Sequence, residues 1–187
     1  MGIVDSLQIS QNPEWETPSH VFRVLDEEFR FTLDVCADGS NHKCERYFTK
    51  EDDGLAQDWS GETCWMNPPY GRPIPAWVKK AADSCEDGRT VVVGLLPNRT
   101  DTRWWADHVM RASEIRLVKG RIAFGGAGQC APFGSVVVVW GTPRPPLMSL
   151  ISFQGEEETP RRPSSRPPSP RGAAPLESFC SMPPDCQ

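Results

Sequence analysis

"TVVVGLLP", residues 90–97, is an unbroken apolar run closed by a proline. A strand with one face in water alternates apolar and polar side chains, whereas a strand covered on both faces does not, and double cover is the habit of parallel sheets flanked by helices. The run therefore predicts a central strand and, around it, an α/β layered domain. Upstream, "ETCWM" (62–66) reads as a short strand that stops at Asn67, and "FRFTLDVCA" (29–37) as another that ends near Asp34. Between strands, Pro75 predicts a helix start, with Trp77, Ala81 and Cys85 on one face and Gly88 as its C-cap. "WETPSHVFRVLDEEF" (15–29) predicts an earlier amphipathic helix: Thr17 is placed to cap it, Pro18 to open it, and Val21, Leu25 and Phe29 recur every four residues.

Downstream of the central run, Thr100 or Asp101 is placed to cap a helix carrying Trp105 and Val109, and "EIRLV" (114–118) returns as a strand. "GRIAF" (120–124) and "FGSVVVVWG" (133–141) read as a terminal antiparallel strand pair. Strands alternating with helices place one domain over residues 13–142, behind a flexible leader at 1–12. After Gly141 the composition turns to Pro, Ser and Arg, as in "TPRRPSSRPPSPRGAAP" (159–175), which offers little to bury and predicts a mostly disordered tail over 143–187. The short apolar "LMSLISF" (147–153) within it could pack back on the domain, but no periodic partner follows it.

Composition narrows the function classes. The 187 residues are 38% hydrophobic and 24% charged, with a net charge of −5, so bulk charge does not mark a nucleic-acid binder and only a local basic patch could serve as one. No apolar run approaches the roughly 18 residues of a membrane span, and the N-terminus lacks a secretory pattern, so a cytoplasmic protein is expected. The seven cysteines show no C-x-x-C pairing, and the Cys36, His42 and Cys44 group matches no zinc spacing. No metal is expected, nor any obligate protein partner.

Ligands of open parallel sheets bind outside the carboxyl ends of the strands. Two segments fall there: Asp34-Val35-Cys36-Ala37 and Asn67-Pro68-Pro69-Tyr70. Prolines stiffen the backbone and donate nothing, so adjacent carbonyls are left as acceptors; Asn67 adds an amide oxygen and Tyr70 an aromatic face. That set suits a planar ligand bearing an amino group. The plain alternative is a strand-to-helix turn with Tyr70 packed inward.

The turn resembles the N-P-P-Y motif of amino-methyltransferases that use S-adenosylmethionine. The wider pattern resembles the phage-type DNA N-6-adenine methyltransferases: "WETPSHVF" (15–22), "LDVCAD" (33–38), "GLAQDW" (54–59), "WMNPPYG" (65–71), "LLPNRTDTRWW" (95–105) and "KGRIAF" (119–124), in that order. The resemblance implies a Rossmann-like methyltransferase fold, with a mostly parallel sheet, and S-adenosylmethionine as cofactor. It implies catalytic roles for Asn67, Pro68, Pro69 and Tyr70. It places Trp15, Thr17 and Pro18 on the cofactor, the last two at its methionine portion, with Asp34, Cys36 and Ala37 on the first cofactor loop. Asp58 falls where an acid reaches the cofactor adenine, although Asp52 and Asp53 compete for that role. Thr17 and Pro18 also read as helix caps, and Asp34 as a polar strand end. "DVCADGSN" (34–41) holds only Gly39 where such folds carry a glycine-rich turn, and "FGGAGQ" (124–129) precedes a strand and reads as a hairpin loop.

The implied substrate is double-stranded DNA, its adenine flipped out and stacked on Tyr70, its amine held by Asn67 and the Pro68 carbonyl. Arg72, Arg99 and Arg121, beside the site loops, are the candidate phosphate contacts. Target reading would fall to loops near 71–75 and 119–132. Methylation of cytosine's amine or of a protein glutamine, or a catalytically silent protein of the same fold binding DNA or a partner, are alternatives that the tetrapeptide alone leaves open.

Overall fold

The structure, a computed structural model, describes residues 15–125, 130–143 and 147–153. Six strands form one sheet: β1 (Leu33–Asp34), β2 (Thr63–Met66), β3 (Val91–Pro97), β4 (Glu114–Val118), β5 (Ser135–Trp140) and β6 (Leu147–Ile151). Their spatial order is β1-β2-β3-β5-β4-β6. The pairs β1/β2, β2/β3 and β4/β6 are parallel, while β5 runs antiparallel to both its neighbours. Five strands thus share one direction, and their carboxyl ends lie along a single edge.

The run 90–97 is indeed central. Val92, Val93, Leu95 and Leu96 are fully buried because neighbours pair on both sides of β3 and helices cover both faces. Gly94 is required there: a Cβ would stand 2.9 Å from the Met66 methyl and 3.2 Å from the Trp140 ring, which meet over it. Helix α1 (Ser19–Phe29) lies on the opposite face, where Phe22 meets Trp65 edge-on at 5.5 Å. Its last turn is tied to β4 through Arg116, whose guanidinium bonds both Glu28 oxygens at 2.6 Å and Glu114 at 2.8 and 2.9 Å. These charge-assisted bonds raise the Arg116 pKa further. Helix α2 (Ile74–Ser84) and the short α3 (Arg103–His108) cover the Met66 and Trp140 face, and Trp140 donates to the His108 carbonyl at 3.0 Å.

Several local expectations change. Pro18 is itself the N-cap of α1 and no side chain caps it, so Thr17 is not held by the helix. Thr102, rather than Thr100 or Asp101, precedes α3. "GRIAF" forms only the isolated bridge Ala123↔Cys130; the antiparallel partners of β5 are β3 and β4. Ile122 and Phe124 both face the core, as alternate residues of an extended segment do, and the Ala131 N–H donates to the Ile122 carbonyl at 3.0 Å. The sheet also runs past residue 142, because β6 pairs along the open side of β4. This is the apolar segment 147–153 packing back on the domain; as an edge strand it buries only part of its surface, and Leu147, Met148 and Leu150 remain exposed. The expected leader at 1–12 and residues 154–187 of the expected tail lie outside the described residues, as do 126–129 of the expected hairpin loop. Among the described residues, no helix is long and apolar enough to cross a membrane.

Candidate active site

A cavity of about 440 Å³ opens at the carboxyl ends of β1 and β2. It falls within the size range of small-molecule sites, roughly 300–1,000 Å³. Its walls come from the segment before α1 (Trp15, Glu16, Thr17), the loop after β1 (Asp34, Cys36, Ala37), the 49–54 turn, and the N-P-P-Y turn through Asn67 and Pro69. Trp65 and Trp77 supply aromatic wall.

Asp34 organises the first loop. Its Oδ1 accepts from the Cys36 N–H at 3.3 Å and its Oδ2 from the Lys43 N–H at 3.0 Å, while its backbone pairs with Arg46 and Phe48. Burial pushes its pKa up to about 6, against the lowering by those two N–H groups. The Cys36 thiol is pushed well up by its burial and then by Asp34, so it lines the wall protonated and unreactive.

A glycine at the far end of the loop after β1 makes a close backbone approach of its own. Gly54 lies so close to the β1 backbone that a Cβ would fall 2.2 Å from the Val35 oxygen. Its carbonyl accepts from the Trp59 indole at 2.9 Å, and Trp59 stacks on Trp77 at 6.1 Å. The "GLAQDW" segment is therefore a clasp that closes the cavity floor against α2.

Six buried polar side-chain atoms of the described residues lack a hydrogen-bond partner, and three of them belong to residues on this cavity: Trp15 Nε1, Thr17 Oγ1 and Asn67 Oδ1. Each such atom costs about 1–3 kcal/mol when left unpaired. Such atoms are ordinarily completed by water or by a bound polar group, and these three belong to residues gathered around one cavity. Asn67 is oriented by the bond from its Nδ2 to the Trp15 carbonyl, 2.5 Å long.

Other candidates stand elsewhere. Tyr70 is turned inward: it is 5% exposed, donates to the Leu95 carbonyl at 3.1 Å, and meets Phe124 and Phe133 edge-on at 6.1 and 5.5 Å. The ring is thus packed against two phenylalanines, as the plain alternative of an inward-packed turn residue describes. Pro68 is buried beside it, and Pro18 caps α1; neither lines the cavity. Asp58 is exposed and engaged by the Ser60 N–H and hydroxyl at 3.0 and 2.6 Å; of the three competing acids, the one on the cavity is Asp53, held at φ 51°. Three acids in seven residues are indistinguishable by spacing, and only the path of the loop separates them.

Arg72, Arg99 and Arg121 are exposed and do not touch the cavity. They follow β2, β3 and β4, whose carboxyl ends share the edge on which the cavity opens. Arg99 pairs with Asp101 at 3.4 Å; among the described residues Arg72 and Arg121 enter no ion pair. Cys36, His42 and Cys44 form no metal-holding group; His42 stacks on Tyr47 at 4.3 Å and bonds the Cys44 carbonyl.

A mostly parallel sheet with its cavity at the carboxyl ends of neighbouring strands and an N-P-P-Y turn on the rim is a methyltransferase-like fold. The family described as DNA N-6-adenine-methyltransferase (Dam) matches residues 6–162, and the chain belongs to it. The chain is similar to the DNA N-6-adenine-methyltransferase of Haemophilus phage HP1 (strain HP1c1), with 38% identity over 113 residues covering 59% of this chain and 65% of that protein. It is also similar to the DNA N-6-adenine-methyltransferase of Escherichia phage T1, with 33% identity over 103 residues covering 54% of this chain and 42% of that protein. The matches thus span less than two thirds of either relative's length.

Proposed function

We propose that this chain transfers a methyl group from S-adenosylmethionine to the exocyclic amine of adenine in double-stranded DNA. The observation that carries the reading is the buried Asn67 Oδ1, without a partner, on the wall of a ligand-sized cavity. The residues present fit the cofactor. The Thr17 hydroxyl and Trp15 indole are buried donors awaiting acceptors, Asp34 and Asp53 offer carboxylates to hydroxyl or amino groups, and Trp65 and Trp77 offer apolar walls. When bound there, the cofactor supplies an electrophilic methyl on a sulfonium.

The chain's own part is to hold the amine and to favour the charge that develops on it. Asn67 Oδ1 accepts one N–H of the amine, and that bond strengthens as the nitrogen becomes positive; the Pro68 carbonyl becomes a second acceptor only for an amine that approaches from outside the cavity. Tyr70 does not stack on the base; through Leu95, Phe124 and Phe133 it fixes the turn that carries Asn67. The amine is inaccessible inside a duplex, so the base leaves the stack at a cost of a few kcal/mol. Arg72, Arg99 and Arg121 contact phosphates along the same edge. Acting on DNA places the protein in the cytoplasm of a bacterial host.

The test is incubation of the purified chain with isotopically labelled S-adenosylmethionine and unmethylated double-stranded DNA, followed by nucleoside mass spectrometry. Label in N6-methyladenine supports the reading. Label confined to methylcytosine, or found only in protein glutamine, overturns it, as does no transfer by a protein that binds the cofactor.

A further inference from the structure

We propose that the Trp15 carbonyl sets the orientation of the Asn67 amide, so that the turn works only with a side chain that donates to Trp15 while accepting from the target. The inference rests on the reading of Asn67 as the acceptor of the target amine.

A terminal amide has a broad, roughly two-fold torsion, and its two ends differ in opposite ways: one accepts, the other donates. Flipped, Asn67 would present N–H groups to an amine that is itself a donor. A backbone carbonyl can only accept. With the Trp15 oxygen 2.5 Å away, Nδ2 must face it, and Oδ1 is thereby turned to the other side, where it is buried and without a partner. The protein thus fixes the useful orientation before any substrate arrives.

Trp15 is fixed in turn. Its ring meets Phe124 at 5.5 Å and Phe133 at 5.4 Å, both edge-on, and the Glu16 carbonyl accepts the Gly125 N–H at 3.1 Å. Phe124 and Gly125 belong to the loop after β4 that carries Arg121. The loop proposed to meet DNA therefore also steadies the group that orients Asn67. Trp15 is a positioning residue acting through its main chain.

The decisive variant is Asn67→Asp. An ionised carboxylate has acceptors only, so one oxygen would oppose the Trp15 oxygen. A proton on that oxygen restores the donor and leaves the other oxygen as a neutral acceptor, as in the amide. The charged groups sharing the cavity are Glu16 and Lys43, paired at 3.3 Å, Asp34, and Asp38, Lys50 and Asp53 from the loop beyond; the Cys36 thiol, against the Asn67 backbone, is kept protonated by burial. All are present in both proteins, so comparison with wild type removes their own titration except where the new carboxylate couples to it, chiefly at Asp34, and Asn67→Asp in an Asp34→Asn background removes that coupling.

Single-turnover methylation and melting temperature would be measured for wild type, Asn67→Asp and Asn67→Ala from pH 8.5 to 5.5. At pH 8, Asn67→Asp should be slower than wild type by about 10²–10³-fold, the loss typical of one preorganised polar group. Relative to wild type it should recover by up to about tenfold per pH unit on acidification, and its melting-temperature deficit should shrink over the same range. Asn67→Ala should be slow at every pH. A flat Asn67→Asp profile in both rate and melting-temperature difference overturns the inference, whether that variant is active or inactive. Wild-type rates from Asn67→Ala would instead remove the underlying role of Asn67. If Asn67→Asp does not fold at pH 8, refolding on acidification supports the inference and failure to refold at pH 5.5 overturns it.

Discussion

Replacing Tyr70 by Phe and by Ala separates two roles for the aromatic residue of the turn. Tyr70 is 5% exposed, its hydroxyl donates to the Leu95 carbonyl of β3 at 3.1 Å, and its ring is enclosed by Phe124 and Phe133. Tyr70→Phe removes one buried hydrogen bond, a net cost of about 0.5–1.5 kcal/mol. At roughly 2–4 °C per kcal/mol for a chain of this size, the melting temperature should fall by about 1–6 °C. Tyr70→Ala removes a buried aromatic ring, which costs about 3–5 kcal/mol in other cores, or roughly 6–20 °C. Cofactor affinity should fall along with DNA use, because the ring holds the turn that forms one cavity wall. A residue whose ring stacks on a base behaves differently: Tyr70→Phe would be silent, and Tyr70→Ala would raise the KM for DNA while the protein melted normally. Calorimetric melting, cofactor titration and KM for DNA on the two variants decide the matter. A Tyr70→Ala protein that melts within about 2 °C of wild type, less than the roughly 2–4 °C of one kcal/mol, and binds cofactor normally would refute the packing argument.

Asp34 should make stability depend on pH in the sense opposite to an ordinary paired carboxylate. Its folded pKa of about 6 lies above the usual 3.8, so the folded state holds the proton more tightly and stability falls as pH rises through 6. Between pH 5 and 7.5 the loss is about 1.4 kcal/mol, so the melting temperature of wild type relative to Asp34→Asn should drop by roughly 3–6 °C, measurable by calorimetry. Asp53→Ala should weaken S-adenosylmethionine binding by about 10–100-fold, the worth of a hydrogen bond to a charged group. Asp58→Ala, away from the cavity, should leave binding within about twofold by titration calorimetry, under half a kcal/mol. Arg121→Gln and Arg72→Gln should each lower the salt dependence of DNA binding by about one phosphate contact; equal slopes for variants and wild type would exclude those arginines from the interface.

Much of the frame was legible because it depends on local chemistry. An unbroken apolar run can only be a doubly covered strand or a buried helix segment, and eight residues closed by proline favour the strand. Proline near the start of α2 acts within one turn of where it stands; α2 itself ends at Cys85, and Gly88, in the left-handed region at φ 68°, caps instead the 3-10 turn Cys85–Asp87 that follows it. What escaped depended on distant partners. Tyr70 could face a ligand or the core with equal local sense, and Phe124 and Phe133, far along the chain, decide it. Thr17 fits a helix cap in sequence, yet Pro18 takes that position and leaves the hydroxyl buried and unpaired. Asp53 is marked only by the path of a loop whose closure depends on Gly54 touching Val35.

That contrast bears on how the site is built. The cavity walls are loops and a segment ahead of the first helix, elements that are ordinarily mobile, and the polar atoms left without a protein partner upon them are costly to bury until water or a ligand completes them. Such walls keep their places because each is pinned to something rigid. Asp34 ties the first loop through two N–H bonds, Trp59 ties the 49–54 turn to Trp77, and Tyr70 ties the N-P-P-Y turn to β3. Trp15 then joins the segment before α1 to the loop after β4. The anchors are mostly aromatic because a large flat ring buries much area for few rotatable bonds, so it fixes a loop at low entropic cost. Polar atoms can then be left unpaired at the cavity without the walls collapsing to satisfy them. On the proposed reading of Asn67, Tyr70 therefore serves by the rigidity it lends to that asparagine rather than by contact with what the asparagine binds.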